Sequence, residues 1–242
     1  MNMTESTWNG YRRLDFLFEE APAILICPKE PAKGNKWLFK TEYFGAFPDF
    51  ELAMLARGYH VAHVKNLTRW TPDEVTERQA RFARFLKETF SLHEKCMTVG
   101  MSCGGMQAIY LAAKHPSCVS ALYIDAPVCN LLSCPCGVGD AHNQLYEEFK
   151  AAMGMTVSDL INYRKHPIDY APDLIAHNIP LYIVAGDSDK TVPYHENGAL
   201  LAAYYREKGG ILFETIKENC DHHPHGLTDL SPLIAFAEQY YI

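Results

Sequence analysis

The chain has 242 residues, 48% of them hydrophobic and 21% charged, with a formal net charge of -7. That is enough apolar material for a sizeable core, and an acidic balance without a basic block argues against nucleic acid or an anionic membrane surface as a partner. No apolar run approaches the roughly 18 residues of a membrane span and the first residues lack an export signal, so a cytoplasmic protein with its eight cysteines reduced is expected.

In chain order, residues 14–18 and 23–27 are predicted as early strands, joined near Glu20-Ala21-Pro22. An irregular stretch, 28–47, precedes a helix over 50–56 closed by Gly58 and a strand over 59–64. Thr71-Pro72-Asp73-Glu74 reads as a capping box with proline at the first helical position. It opens a helix whose buried face includes Val75, Phe82, Phe85, Leu86 and Phe90. A strand over 96–99, a helix over 105–114 and a strand over 121–125 follow. Residues 126–173 hold two short helical patterns, 144–153 and 157–165. The chain ends with strands over 180–185 and 210–216 and helices over 197–208 and 232–241. This alternation implies an α/β domain spanning 1–242: a mostly parallel sheet with helices on both faces and a small cap insertion at 126–173.

Gly100-Met101-Ser102-Cys103-Gly104 falls between a predicted strand and a predicted helix. Such a turn is too tight for Cβ atoms on either side of the serine, hence the glycines, and it presents Oγ at the sheet edge. The helix that follows aims its N-terminus at Ser102, and the Cys103 amide is placed to stabilise an oxyanion. A serine hydroxyl needs a base and an acid to orient that base. Carboxylates occur after the 180–185 strand, at Asp187 and Asp189, and histidines after the 210–216 strand, at His222, His223 and His225. Both sets fall at the sheet edge where ligands bind in open α/β folds. Asp125, at the end of its own strand, is an alternative acid or a loop anchor. A metal site on the histidine run would need its ligands on a common face, which Pro224 opposes.

With Ser102 followed by Gly186-Asp187-Ser188-Asp189-Lys190-Thr191-Val192-Pro193 and then by His222, the chain resembles the α/β-hydrolases. More narrowly it is similar to small bacterial esterases related to the prolyl-oligopeptidase and cinnamoyl-esterase branches. The resemblance implies an α/β-hydrolase fold, with Asp189 as the acid of a G-x-x-D-x-x-V-P segment and Asp187 as a turn residue. It favours His222 as the base, with His223 as the alternative.

Many such hydrolases carry a His-Gly pair after an early strand to supply the second oxyanion amide. Here Cys27-Pro28-Lys29-Glu30 stands after the 23–27 strand. Pro28 has no N–H, so Lys29 is the expected donor and Glu30 the alternative. The aromatic and charged stretch 37–47 reads either as core with solvated charges or as a pocket wall. In the second case Trp37 stacks on a sugar or aryl group and Lys40 meets a polar or anionic substituent. Cys134-Pro135-Cys136 suggests a sulfur-lined entrance. The expected activity is two-step acyl transfer on an ester, by analogy an acylated carbohydrate or plant-wall ester, with a peptidase or amidase as the alternative. No metal or organic cofactor is expected. The partner is a small-molecule or oligosaccharide ester, and a homodimer is left open.

Overall fold

The computed structural model describes residues 2–241. In chain order the strands and helices are β1 (Met3–Trp8), β2 (Tyr11–Phe18), β3 (Ala21–Cys27), β4 (Trp37–Lys40), α1 (Asp49–Leu55), β5 (His60–Val64) and α2 (Asp73–Phe90). There follow β6 (Cys96–Met101), α3 (Cys103–Lys114), β7 (Val119–Asp125), α4 (Tyr146–Met153), α5 (Val157–Ile161) and α6 (Ala171–Ala176). The last elements are β8 (Leu181–Gly186), α7 (Gly198–Lys208), β9 (Leu212–Lys217) and α8 (Ser231–Tyr240).

The strands form one sheet in the order β1-β2-β3-β5-β4-β6-β7-β8-β9. The pairs β1–β2, β2–β3 and β3–β5 are antiparallel, and β5 through β9 run parallel. Alternation along the parallel strands serves two faces, as their period of two requires. Leu122, Ile124, Leu181 and Ile183 pack toward α2, α3, α6 and α7, whereas Ala121, Tyr123, Tyr182 and Val184 pack toward α1 and α8. The expected mostly parallel sheet with helices on both faces is therefore present, with α4, α5 and α6 between β7 and β8.

Two strands escaped the sequence reading. β1 is exposed along nearly its whole length, and it pairs with β2 through the Asn9-Gly10 turn, where both residues have positive φ. β4 is only four residues long, yet it is fully buried and inserts between β5 and β6. Its insertion moves the first and last residues of the strand into the core. Trp37 is completely buried, its indole N–H donating to the carbonyl of His93 at 2.8 Å, so it is not a pocket wall. Lys40 is also completely buried: its Nζ lies 2.7 Å from Glu51 Oε1 and donates to the Ala46 carbonyl at 3.2 Å. It cannot meet a substrate substituent. The capping box is not formed either, because α2 starts at Asp73 with Pro72 as N-cap and no side-chain cap bond. Glu74 pairs with Arg81 instead.

A buried ion pair is costly to break from one side, since the remaining charge has no water to turn to. Lys40→Met is expected to destabilise the protein by about 3–5 kcal/mol. The double replacement Lys40→Met, Glu51→Leu should recover part of that loss, read as the midpoint of chemical denaturation.

Candidate active site

β6 delivers the nucleophile elbow. Ser102 has φ 52° and ψ -118°, a conformation that side chains rarely adopt and that must be held by its surroundings. Its N–H donates to the Asp125 carbonyl at 2.9 Å and its own carbonyl accepts from Val128 N–H at 3.2 Å. A Cβ on Gly100 would lie 2.4 Å from the Gly104 carbonyl oxygen, and one on Gly105 would lie 2.7 Å from Pro127 Cβ. The glycines therefore reflect the close approach of β6, α3 and the segment after β7. Cys103 opens α3, so its N–H has no carbonyl one turn back within the helix and is free to donate to a ligand.

The three segments expected to supply the site meet at the C-terminal edge of the parallel strands. His222 Nε2 lies 3.1 Å from Ser102 Oγ, and His222 Nδ1 lies 2.7 Å from Asp189 Oδ2. The other carboxylate oxygen of Asp189 accepts the N–H groups of Thr191 and Val192, both at 2.8 Å. Those bonds fix the acid, the acid fixes the imidazole, and the hydroxyl is left pointing at the free ring nitrogen. All three side chains are buried. Asp187 is exposed and accepts from Ser188 Oγ, as a turn residue would. Asp221 fastens the acid loop to the base loop, accepting from Lys190 N–H at 3.0 Å and His222 N–H at 2.7 Å. These backbone donors hold its carboxyl below the usual range.

The neighbouring histidines are placed differently. Asp125, the alternative acid, does not reach His222. Its Oδ1 lies 2.8 Å from His225 Nδ1, and its Oδ2 accepts the Gly226 N–H at 2.6 Å. His223 is exposed and its ring packs on Phe47, with centroids 5.7 Å apart. Burial and the adjacent His225 and His222 lower its pKa. The three rings nevertheless cluster, with centroids 4.8–4.9 Å apart, so Pro224 does not keep them from a common face.

The cavity in front of Ser102 has a volume of about 340 Å³. Its walls include Tyr43, Phe47, Arg69, Met101 and Leu145, and the histidine cluster closes one end. Lys29 is not there. β3 runs antiparallel to β5, so its last residue sits at the opposite edge of the sheet, where Ala32 N–H donates to the Gly58 carbonyl at 2.8 Å. Lys29 and Glu30 are exposed at that far edge. The segment that does reach the site follows β4: Tyr43 and Phe47 of the stretch 37–47 line the cavity, whereas Trp37 and Lys40 do not. Burial raises the Tyr43 hydroxyl well above the ordinary tyrosine range and keeps it protonated beside Arg69 and Cys103. Burial likewise pushes the Cys103 thiol up to about 11. Cys134 is completely buried behind Cys103 and Val192 and lines no entrance. All eight cysteines are free.

Among the described residues only His222 joins a serine to a carboxylate. His222→Ala is expected to lower kcat by about 10³-fold or more, whereas His223→Ala costs far less, measured as steady-state hydrolysis by each variant. A loss of that size in His223→Ala alone would reassign the base.

The model for the prolyl oligopeptidase family matches residues 56–240, more than half of the chain. Among solved structures, the chain is similar to a Mycobacterium tuberculosis puromycin-hydrolyzing peptidase (14% identity, TM-score 0.71), covering 90% of this chain and 36% of that one. It is similar also to Porphyromonas gingivalis dipeptidyl peptidase 4 (16%, TM-score 0.70; 99% and 35%). A third likeness is to Pyrococcus horikoshii acylaminoacyl peptidase (17%, TM-score 0.66; 88% and 37%). The chain thus spans about a third of the length of these structures. Such identities speak for the fold alone. The sheet order, the elbow and the family match together identify an α/β-hydrolase fold, and the chain belongs to the prolyl oligopeptidase family.

Proposed function

We propose that the protein is a serine hydrolase that cleaves amide bonds of short peptides or aminoacyl compounds by two-step acyl transfer. The observation that carries this reading is the unbroken chain from Ser102 Oγ through His222 to Asp189, opening on an apolar cavity. In this scheme Ser102 Oγ bonds to the substrate carbonyl carbon while its proton passes to His222 Nε2. Asp189 holds the Nδ1 proton and stabilises the imidazolium. The tetrahedral oxyanion accepts hydrogen bonds from the Cys103 N–H and the Tyr43 hydroxyl, both on residues that line the cavity beside Ser102. Collapse of the intermediate expels the amine, which takes the proton from His222. Water then releases the acyl group by the same steps in reverse, returning the proton to Ser102.

Tyr43 takes the place expected for Lys29 because β4, not β3, ends at the site. An amide substrate is better supported than the expected carbohydrate ester on two grounds. The residue that would stack on a sugar, Trp37, is in the core. The family and the peptidase neighbours favour the peptidase alternative. The volume of about 340 Å³ suits one or two residues of substrate. Residues 126–173 act as the cap: Leu145 lines the cavity, and Glu148 on α4 forms an ion pair with Arg69 on the wall. Among the described residues no helix is long and apolar enough to cross a membrane.

Hydrolysis of aminoacyl and dipeptidyl nitroanilides, set against nitrophenyl and feruloyl esters, tests this reading. A preference in kcat/KM for the amides is expected after allowance for intrinsic reactivity. Tyr43→Phe should lower kcat by about 10²-fold with little change in KM. Turnover of acylated sugars alone would restore the ester reading.

A further inference from the structure

The turn at residues 222–225 brings three imidazoles together at one end of the cavity that holds Ser102. One ring nitrogen from each of His222, His223 and His225 lies within 4.8 Å of the others. Two of these rings have a buried carboxylate behind them: Asp189 at Nδ1 of His222, 2.7 Å away, and Asp125 at Nδ1 of His225, 2.8 Å away. A carboxylate at Nδ1 keeps the proton there and leaves Nε2 with a free lone pair directed away from it. That is the arrangement by which proteins orient metal-ligating histidines. Acyl transfer uses only the first pair. The Asp125–His225 pair has no step in it, yet its imidazole is part of the cavity wall, and its Nε2 makes no hydrogen bond to a described residue.

We propose that His222, His223 and His225 form a binding site for a transition-metal cation of the Zn²⁺ type. Occupation of that site switches hydrolysis off, because the cation takes the Nε2 lone pair that would receive the Ser102 proton. The inhibitory consequence rests on the serine hydrolase reading above; the binding itself does not.

Ligand chemistry selects the cation. Three neutral imidazoles suit Zn²⁺ and its neighbours, whereas Ca²⁺ and Mg²⁺ want oxygen ligands. Zn–N bonds of about 2.0–2.1 Å bring tetrahedral ligand nitrogens to roughly 3.3 Å apart, so the rings must close further. His223 is exposed on the turn and its ring makes no hydrogen bond to a described residue, so it is the ring that must shift, off Phe47; His222 and His225 are held by their carboxylates. Ser102 Oγ, 3.1 Å from His222 Nε2, or a water fills the fourth position. The Asp125 and Asp189 carboxylates offset the added charge. A second group, Asp140, His195 and Glu196, has comparable spacing. Its Glu196 carboxylate is already engaged by Ser133 Oγ and the Asp140 N–H, which makes it the weaker candidate and the natural control.

The test is calorimetric titration of Zn²⁺ into the Ser102→Ala protein, which binds without turning over. One site per chain is expected, weakened at least tenfold by His223→Ala, weakened about 10–100-fold by Asp125→Asn, and unaffected by His195→Ala. Circular dichroism of each variant separates lost binding from lost fold. In the wild-type protein Zn²⁺ should inhibit hydrolysis, EDTA should restore it, and His223→Ala should move the inhibition midpoint at least tenfold upward. Absence of binding, or binding that survives His223→Ala and disappears in His195→Ala, overturns the proposal. Hydrolysis that is absent in metal-free wild-type protein counts against the hydrolase reading instead, and leaves the binding result standing.

Discussion

Asp125 ties together three segments that lie far apart in sequence. Its carbonyl accepts the N–H of Ser102, one side-chain oxygen meets His225 Nδ1, and the other accepts the N–H of Gly226. The end of β7 thereby grips the strained nucleophile turn with its backbone and the histidine loop with its carboxylate. A serine at positive φ persists only when neighbours over-determine it, and a base is useful only within hydrogen-bond reach of its nucleophile. Asp125 serves both requirements from one buried position. The position sensed in the sequence as either an acid or an anchor is thus, in geometry, an anchor.

The opposite wall depends on a buried polar network around the segment after β4. Gln107 on α3 donates to Glu42 and to the Arg69 carbonyl, both at 2.9 Å, and Asn66 donates to the Thr41 carbonyl and to Glu42. Thr41 Oγ1 donates to the Gly104 carbonyl at 2.7 Å. Lys40, clamped by Glu51, reaches the Ala46 carbonyl from below. A buried hydrogen-bond network of this kind rigidifies what it joins. Here it joins the loop carrying Tyr43 to the helix that begins at Cys103, the two sources of oxyanion donors proposed above. The site is therefore framed by two independent fastenings, one through Asp125 and one through Lys40 and Gln107.

What the sequence revealed and what it hid divide along a physical line. Ser102 and Asp189 follow short, largely apolar, fully buried strands, and His222 follows a more mixed one, so their placement at a sheet edge could be read from strand order together with the glycine-rich turns. β4 could not, because four residues give too little periodicity to separate a strand from an aromatic loop. Missing it attached the site loop to β3, whose antiparallel direction puts Lys29 at the wrong edge. Trp37 and Lys40 looked like a pocket wall because the partner that allows a lysine to be buried, Glu51, lies on a different element. The Asn9-Gly10 pair did signal the first hairpin, but β1 is exposed on both faces and shows no alternation. The clustering of His222, His223 and His225 depends on a turn that residue types alone do not specify.

Whether the elbow serine is an activated nucleophile is read directly by treating the folded protein with a fluorophosphonate and locating the adduct by peptide mass spectrometry. A single stoichiometric adduct on Ser102, lost when the protein is unfolded beforehand, is the expected result. An intact Ser102, or an adduct confined to another residue, would contradict it.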